Sequence, residues 1–221
     1  MIKYIINQSD VSEEQENVSP SIFYYLPNFL GDEEQKELFE YLESTKNFIP
    51  TPKFKKGVTR LQKWYQKDKK YFCPEWSKRY PQWESFEIDD KISKLIDRIQ
   101  KYIIEQKELN DIKGFSIPNI NSCLINKYQN GEHYISPHRD CSISFGEEPT
   151  IIGLSLGVTR TIDFIPENND ENKSFSFGLE SGSIFIMAGS SQKFYKHSIR
   201  RCEPNEINDV RYSLTFREYI K

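Results

Sequence analysis

The 221-residue sequence predicts an α+β protein: helices first, then an antiparallel β core of about 105 residues from Phe115 onward. Two observations predict it. The first half holds the sequence's one long amphipathic stretch, "DDKISKLIDRIQKYIIEQKEL" at 89–109. The second half holds strand-like runs broken by Gly, Asn, Asp and Pro turns every roughly 8–12 residues, the pattern of a sandwich or barrel. Its runs are "CLINKY", "TIIGLSL", "RTIDFI", "KSFSFGL", "SIFIMAG", "QKFYKHSI" and "RYSLTFRE".

In chain order, residues 1–20 read as a loose lead-in, polar and acidic from 8 to 20. Residues 21–114 form the N-terminal part and 115–221 the core, within one compact domain. "FYYLPNFLGDEEQKELFEYLES" reads as a short strand, a turn and a helix. Leu38, Phe39 and Leu42 recur at helical spacing, and Asp32, Glu33 and Glu34 sit where a helix start favours acids. Residues 48–85 have no clean period and read as hairpins and loops. In the helix at 89–109, Ile92, Leu95, Ile96, Ile99 and Ile103 form one stripe, suited to packing on a sheet.

Composition narrows the function. Net charge is −3, which alone does not advertise a nucleic-acid binder. The charge is uneven, however: residues 53–80 carry ten Lys or Arg against two acids. Cys73, Cys123, Cys141 and Cys202 show no paired spacing, so neither a zinc knuckle nor a disulfide framework is expected. No apolar run approaches 18 residues, and "MIKYIINQSD" shows no long apolar core or cleavage site, so neither a membrane span nor a signal segment is expected. The expectation is a soluble intracellular monomer, cytoplasmic or nuclear, with no membrane partner.

"YISPHRDCSISFGEEP" at 134–149 raises the chemical question. On a strand His138 and Asp140 would share a face, aiming an imidazole and a carboxylate at one point. A third ligand must come from His133 or His197, the remaining histidines. His133 follows an Asn-Gly turn and suits the surface; His197 ends a strand-like run that a facing strand could bring opposite His138. Two histidines and a carboxylate with open positions suit non-haem Fe(II). In "RYSLTFR", Arg211, Ser213, Thr215 and Arg217 share one face and Tyr212, Leu214 and Phe216 the other. Two guanidinium groups on a buried face need anionic partners, and a dicarboxylate supplies them in bidentate form. Asn126 and Tyr128 in "LINKY" add hydrogen-bonding groups on one face. Iron with a dicarboxylate points to 2-oxoglutarate.

The motifs "NKYQNGEHYISPHRD", "SLGVTR", "GSIFIMAGSSQKFYKHSI" and "RYSLTFR" resemble, in order, the core motifs of the AlkB family of Fe(II)/2-oxoglutarate dioxygenases. The resemblance covers about residues 115–219, with weaker features back to about 58. It implies a double-stranded β-helix (jelly roll) core with flanking N-terminal helices and a substrate-recognition lid. His138, Asp140 and His197 would be the catalytic iron ligands. Asn126, Tyr128 and Arg211, with Ser213 beside them, would hold the distal carboxylate of 2-oxoglutarate, and Arg217 the carboxylate nearer the metal. Fe(II), 2-oxoglutarate and O2 would then demethylate N-alkylated bases in DNA or RNA, a DNA-repair reaction releasing formaldehyde, succinate and CO2. "TRLQKWYQKDKKYF" resembles the family's nucleotide-recognition lid. Arg60, Gln62 and Tyr65 match it, with Trp64, Tyr71 and Phe72 as further stacking candidates and Phe54 as a candidate wedge. The basic run would meet phosphates. Ser142 stands where base-repairing relatives often carry an acid near the base, which leaves the base open. The competing readings are a dioxygenase acting on a protein or small molecule and a non-catalytic binding barrel.

Overall fold

The computed structural model describes residues 2–6, 18–50, 59–68, 70–72, 76–168, 173–203 and 205–220. Phe54, Lys69 and Cys73 lie outside them. Twelve strands among the described residues make two sheets. The major sheet takes β1 (Ile2–Ile6), β2 (Ser21–Leu26), β3 (Ile49–Pro50), β4 (Leu61–Gln66), β5 (Ser122–Tyr128), β7 (Ile151–Gly157), β10 (Ile184–Gly189) and β12 (Arg211–Arg217). The minor sheet takes β6 (Ile135–His138), β8 (Arg160–Pro166), β9 (Phe175–Leu179) and β11 (Tyr195–Ile199). The major order is β1-β2-β10-β7-β12-β5-β4-β3 and the minor order β6-β11-β8-β9, with every named strand pair antiparallel.

Three layers result. Helices α1 (Asp32–Ser44) and α3 (Asp90–Glu105) cover the outer face of the major sheet. Between them and the sheet lies one core, where Leu38, Leu42, Ile92, Ile99 and Ile103 meet Ile125, Ile152, Leu154, Leu214 and Phe216. The expected stripe of the long helix is the buried one, and Asp89 caps it by accepting from the Lys91 and Ile92 amides at 3.1 and 3.0 Å. A second core fills the space between the sheets, where Phe23, Tyr128, Ile151 and Phe185 meet Ile162, Phe164, Leu179 and Tyr195. The short helices are α2 (Trp76–Arg79), α4 (Lys107–Asn110), α5 (Ser142–Phe145) and α6 (Ser191–Phe194).

The first half contributes more strand than its sequence suggests. β1, within the expected lead-in, pairs along β2; β2 pairs with β10, and β4 pairs with β5. β2 is buried on both faces, so "SIFYYL" lacks the alternation that marks a half-exposed strand. Its insertion covers what would otherwise be an open edge at β10. Among the described residues, Cys123, Cys141 and Cys202 are free. Among the described residues no helix is long and apolar enough to cross a membrane.

Candidate metal centre and cosubstrate pocket

The minor sheet builds the first half of the site. β6 and β11 run antiparallel with His138 directly opposite His197, and their rings lie 4.2 Å apart, centroid to centroid. Asp140 joins them differently from expectation. β6 ends at His138, so the carboxylate is not held by strand alternation. It is held by two contacts from elsewhere: its backbone N–H donates to Gln192 Oε1 at 3.0 Å, and Arg217 Nε donates to its Oδ2 at 2.6 Å. One ligand atom from each of His138, Asp140 and His197 lies within 4.8 Å of the others. His133 stands apart from this group, its Nδ1 accepting the Gln129 N–H at 3.3 Å.

Protonation suits ligation. His138 Nδ1 lies 2.9 Å from the Ser136 carbonyl, which can only accept, so Nδ1 carries the proton and Nε2 keeps its lone pair. Burial holds His138 below the usual imidazole value despite the pull of Asp140. Burial, with His138 beside it, pushes His197 down to about 3. Burial pushes Asp140 upward more than any single neighbour pulls it down, but Arg217, His197 and His138 together outweigh it and keep the acid below its usual range. At neutral pH the trio is two neutral imidazoles and one carboxylate, the donor set of a non-haem iron site.

The major sheet supplies the other half. The trio opens on a cavity of about 270 Å³. All four predicted polar residues of β12, Arg211, Ser213, Thr215 and Arg217, line it, while Tyr212, Leu214 and Phe216 face the helices. Arg211 is 1% exposed; its Nη2 donates to Ser155 Oγ at 2.9 Å, whereas Nε and Nη1 have no protein partner. Arg217 Nη1 is buried and unpartnered as well. Unmatched buried donors cost about 1–3 kcal/mol each, more when charged, so these guanidinium groups call for an anion. A dicarboxylate fits, with Arg211 at one end and Arg217 beside the trio at the other. Asn126 and Tyr128 line the same cavity from β5. Arg60 Nε and Gln62 Nε2 both donate to Asn126 Oδ1, at 2.7 and 2.9 Å. That fixes the amide's orientation and leaves its NH2 as the group able to serve an acceptor.

The lid differs in part from the sequence expectation. Arg60 and Gln62 line the cavity. Trp64 shares the Gln62 face of β4 but is 2% exposed and packs on Phe72 and Phe145, in the lid's support and not in the cavity wall. Tyr65 points to the opposite face, as strand alternation requires one residue on, and its hydroxyl lies 3.5 Å from Tyr41 Oη. Tyr71 bridges to Glu84 outside the cavity. Ser142 is exposed at the start of α5, and its neighbour Cys141 lines the cavity in its stead. From the lid side, Phe72, Trp76 and Trp83 line the cavity with aromatic rings. Trp76 and Trp83 stand edge to face at 5.7 Å. Only Phe72 was among the stacking candidates; the tryptophans sit in a four-residue helix and a single 3₁₀ turn, too short for any period to show.

Comparison with known proteins agrees with this geometry. The family described as the 2OG-Fe(II) oxygenase superfamily matches residues 22–217. An uncharacterised mimivirus protein, R406, is 33% identical over 114 residues, 51% of this chain and 56% of that protein. A zebrafish (Danio rerio) protein named probable RNA/DNA demethylase ALKBH6 is 22% identical over 90% of this chain and 73% of its own length. The Arabidopsis thaliana DNA oxidative demethylase ALKBH2 is 27% identical over 44% of this chain and 37% of its own. The chain thus spans little more than half of the mimivirus protein and less of the Arabidopsis one. The structure of OsALKBH1 superposes with a TM-score of 0.64 at 21% identity, over 89% of this chain and 97% of that one. A Burkholderia pseudomallei oxidoreductase of the 2OG-Fe(II) oxygenase family gives 0.60 at 13%, over 88% and 84%. The two-sheet fold, the His-Asp-His trio and the family match over residues 22–217 agree: the chain is an AlkB-like member of the 2OG-Fe(II) oxygenase superfamily, a family whose chemistry uses Fe(II), 2-oxoglutarate and O2.

Proposed function

We propose that the protein removes N-alkyl groups from bases of DNA or RNA. The observation that carries this reading is the joint lining of one cavity: the trio and two buried guanidinium groups on its floor, and Phe72, Trp76 and Trp83 on its wall. Aromatic faces suit a base taken out of its stack. The demethylase names of the zebrafish and Arabidopsis relatives support the same reading.

His138, Asp140 and His197 would hold Fe(II). Arg211, with Asn126, Tyr128 and Ser213, would take the distal carboxylate of 2-oxoglutarate, and Arg217 the proximal one. When bound, iron, 2-oxoglutarate and O2 supply an oxidative decarboxylation to succinate and CO2, coupled to hydroxylation of an N-methyl carbon that then leaves as formaldehyde. The chain's own part is to orient these groups and exclude water. Arg217 does two tasks, pairing with Asp140 through Nε and keeping Nη1 for the keto acid. Arg60 and Gln62 act through Asn126, whose carbonyl oxygen they hold.

The test is succinate and formaldehyde release on single- and double-stranded oligonucleotides carrying 1-methyladenine or 3-methylcytosine, with His138→Ala as control. Formaldehyde in step with succinate, abolished by His138→Ala, is the expected result. Succinate release indifferent to every methylated oligonucleotide would move the substrate to a protein or small molecule.

A further inference from the structure

Arg160 opens β8 outside the cavity lining, yet it is 2% exposed. Its guanidinium spends its N–H groups on main-chain carbonyls from two separate segments. Nη1 donates to Asn130 O at 3.2 Å; Nη2 reaches Gly131 O at 3.2 Å, His133 O at 3.1 Å and Arg200 O at 2.5 Å. Residues 129–134 connect β5, which carries Asn126 and Tyr128, to β6, which carries His138. Arg200 follows β11, which carries His197. The same two segments also bond to each other, through Cys202 N–H to Gly131 O at 2.9 Å. Arg160 further lies over the Tyr128 ring, 5.9 Å from its centroid, while Arg211 lies 5.2 Å from that centroid.

We propose that Arg160 is a positioning residue: it ties the strand that presents Tyr128 to the two histidine strands and sets where Tyr128 and Arg211 meet the cosubstrate. The proposal rests on the assignment of Tyr128 and Arg211 to 2-oxoglutarate. A planar fork spanning several carbonyls is something arginine can do and lysine cannot. Taking a guanidinium this far out of water is costly, so its carbonyl partners hold the two segments together as a unit. Groups that orient the residues in contact with metal or ligand shift affinity by about 10–100-fold when removed.

The experiment is calorimetric titration of 2-oxoglutarate into full-length protein loaded with Mn(II), which binds without turnover, alongside thermal melting. Wild-type protein comes first, and no binding there would sink the cosubstrate assignment itself. With wild-type binding in hand, Arg160→Met is expected to weaken 2-oxoglutarate about tenfold or more in the folded fraction. Arg160→Lys, which keeps the charge and loses the fork, is expected to weaken it severalfold at near-native melting temperature. If Arg160→Met does not fold, the lysine variant decides. A lowered melting temperature with an unchanged 2-oxoglutarate Kd in the folded variant would reduce Arg160 to a structural brace and overturn the proposal.

Discussion

Arg217 shows at the residue scale how one side chain couples stability to chemistry. Its pair with Asp140 is almost fully buried, at 5% and 4% exposure. Removing one partner of such a pair leaves an uncompensated charge and costs about 3–5 kcal/mol. Arg217→Met should therefore lower the stability of the metal-free protein by about 3 kcal/mol, measured by urea unfolding, and raise the KM for 2-oxoglutarate. The histidines give a second prediction. His197 sits near 3 in the folded chain against an ordinary value of 6.5. As pH falls below about 6.5 the unfolded chain takes up a proton there that the folded chain refuses, so folding weakens. Asp140, held below 3.8, adds its own loss only at still lower pH. Metal-free protein should lose stability steadily from pH 6.5 towards 4, and His197→Gln should flatten that slope in melts across pH. Residues of this kind were unequally legible. The arginines of β12 stood out because guanidinium groups are rare on a buried strand, and His138, Asp140 and His197 because together they form a metal-ligand set. Arg160 did not, because its acceptors are main-chain carbonyls, which leave no mark in a sequence.

Elements succeed or fail by their periodicity. β12 alternates strictly, and a one-residue slip would exchange Arg211 and Arg217 for Tyr212 and Phe216 at the cavity. Its assignment from sequence matched the structure for that reason. β6 is four residues with Pro137 inside, and the lid tryptophans sit on a single helical turn and a 3₁₀ turn; neither offers enough residues for a period to register. Trp64 and Tyr65 show the same limit from the other side: Tyr65 was named by the motif match and Trp64 as a further stacking candidate, but a strand can send only one of two neighbours to a given face. Packing of the major sheet makes a further prediction. A Cβ on Gly153 of β7 would lie 1.9 Å from Phe185 Cε1, and Phe185 lines the cavity from β10. Gly153→Ala should cost about 1–3 kcal/mol by overpacking. The double variant with Phe185→Leu should recover most of that in thermal melts, since the clash is with the far end of one ring.

At the scale of the whole molecule, the helices hold the major sheet from outside so that its inner face can carry charge. The outer core is apolar, whereas the inner face presents Arg211, Ser213, Thr215 and Arg217 to a cavity shared with the minor sheet. A chain with net charge −3 can thus hold a cationic pocket, and its long-range charge says little about what enters. The layered architecture was legible in the order of helical and strand-like segments. The joining of β2 and β4 to the major sheet was not, because pairing partners far apart in sequence are set by sheet edges and not by local pattern. The central claim is that two strands from opposite ends of the core region bring His138 and His197 around one metal ion. It is tested most directly by equilibrium Mn(II) binding in the presence of 2-oxoglutarate. Wild-type protein is predicted to bind one ion per chain, and His197→Ala to lose that binding while keeping its fold by circular dichroism. Retention of one ion at unchanged affinity in folded His197→Ala would contradict the account.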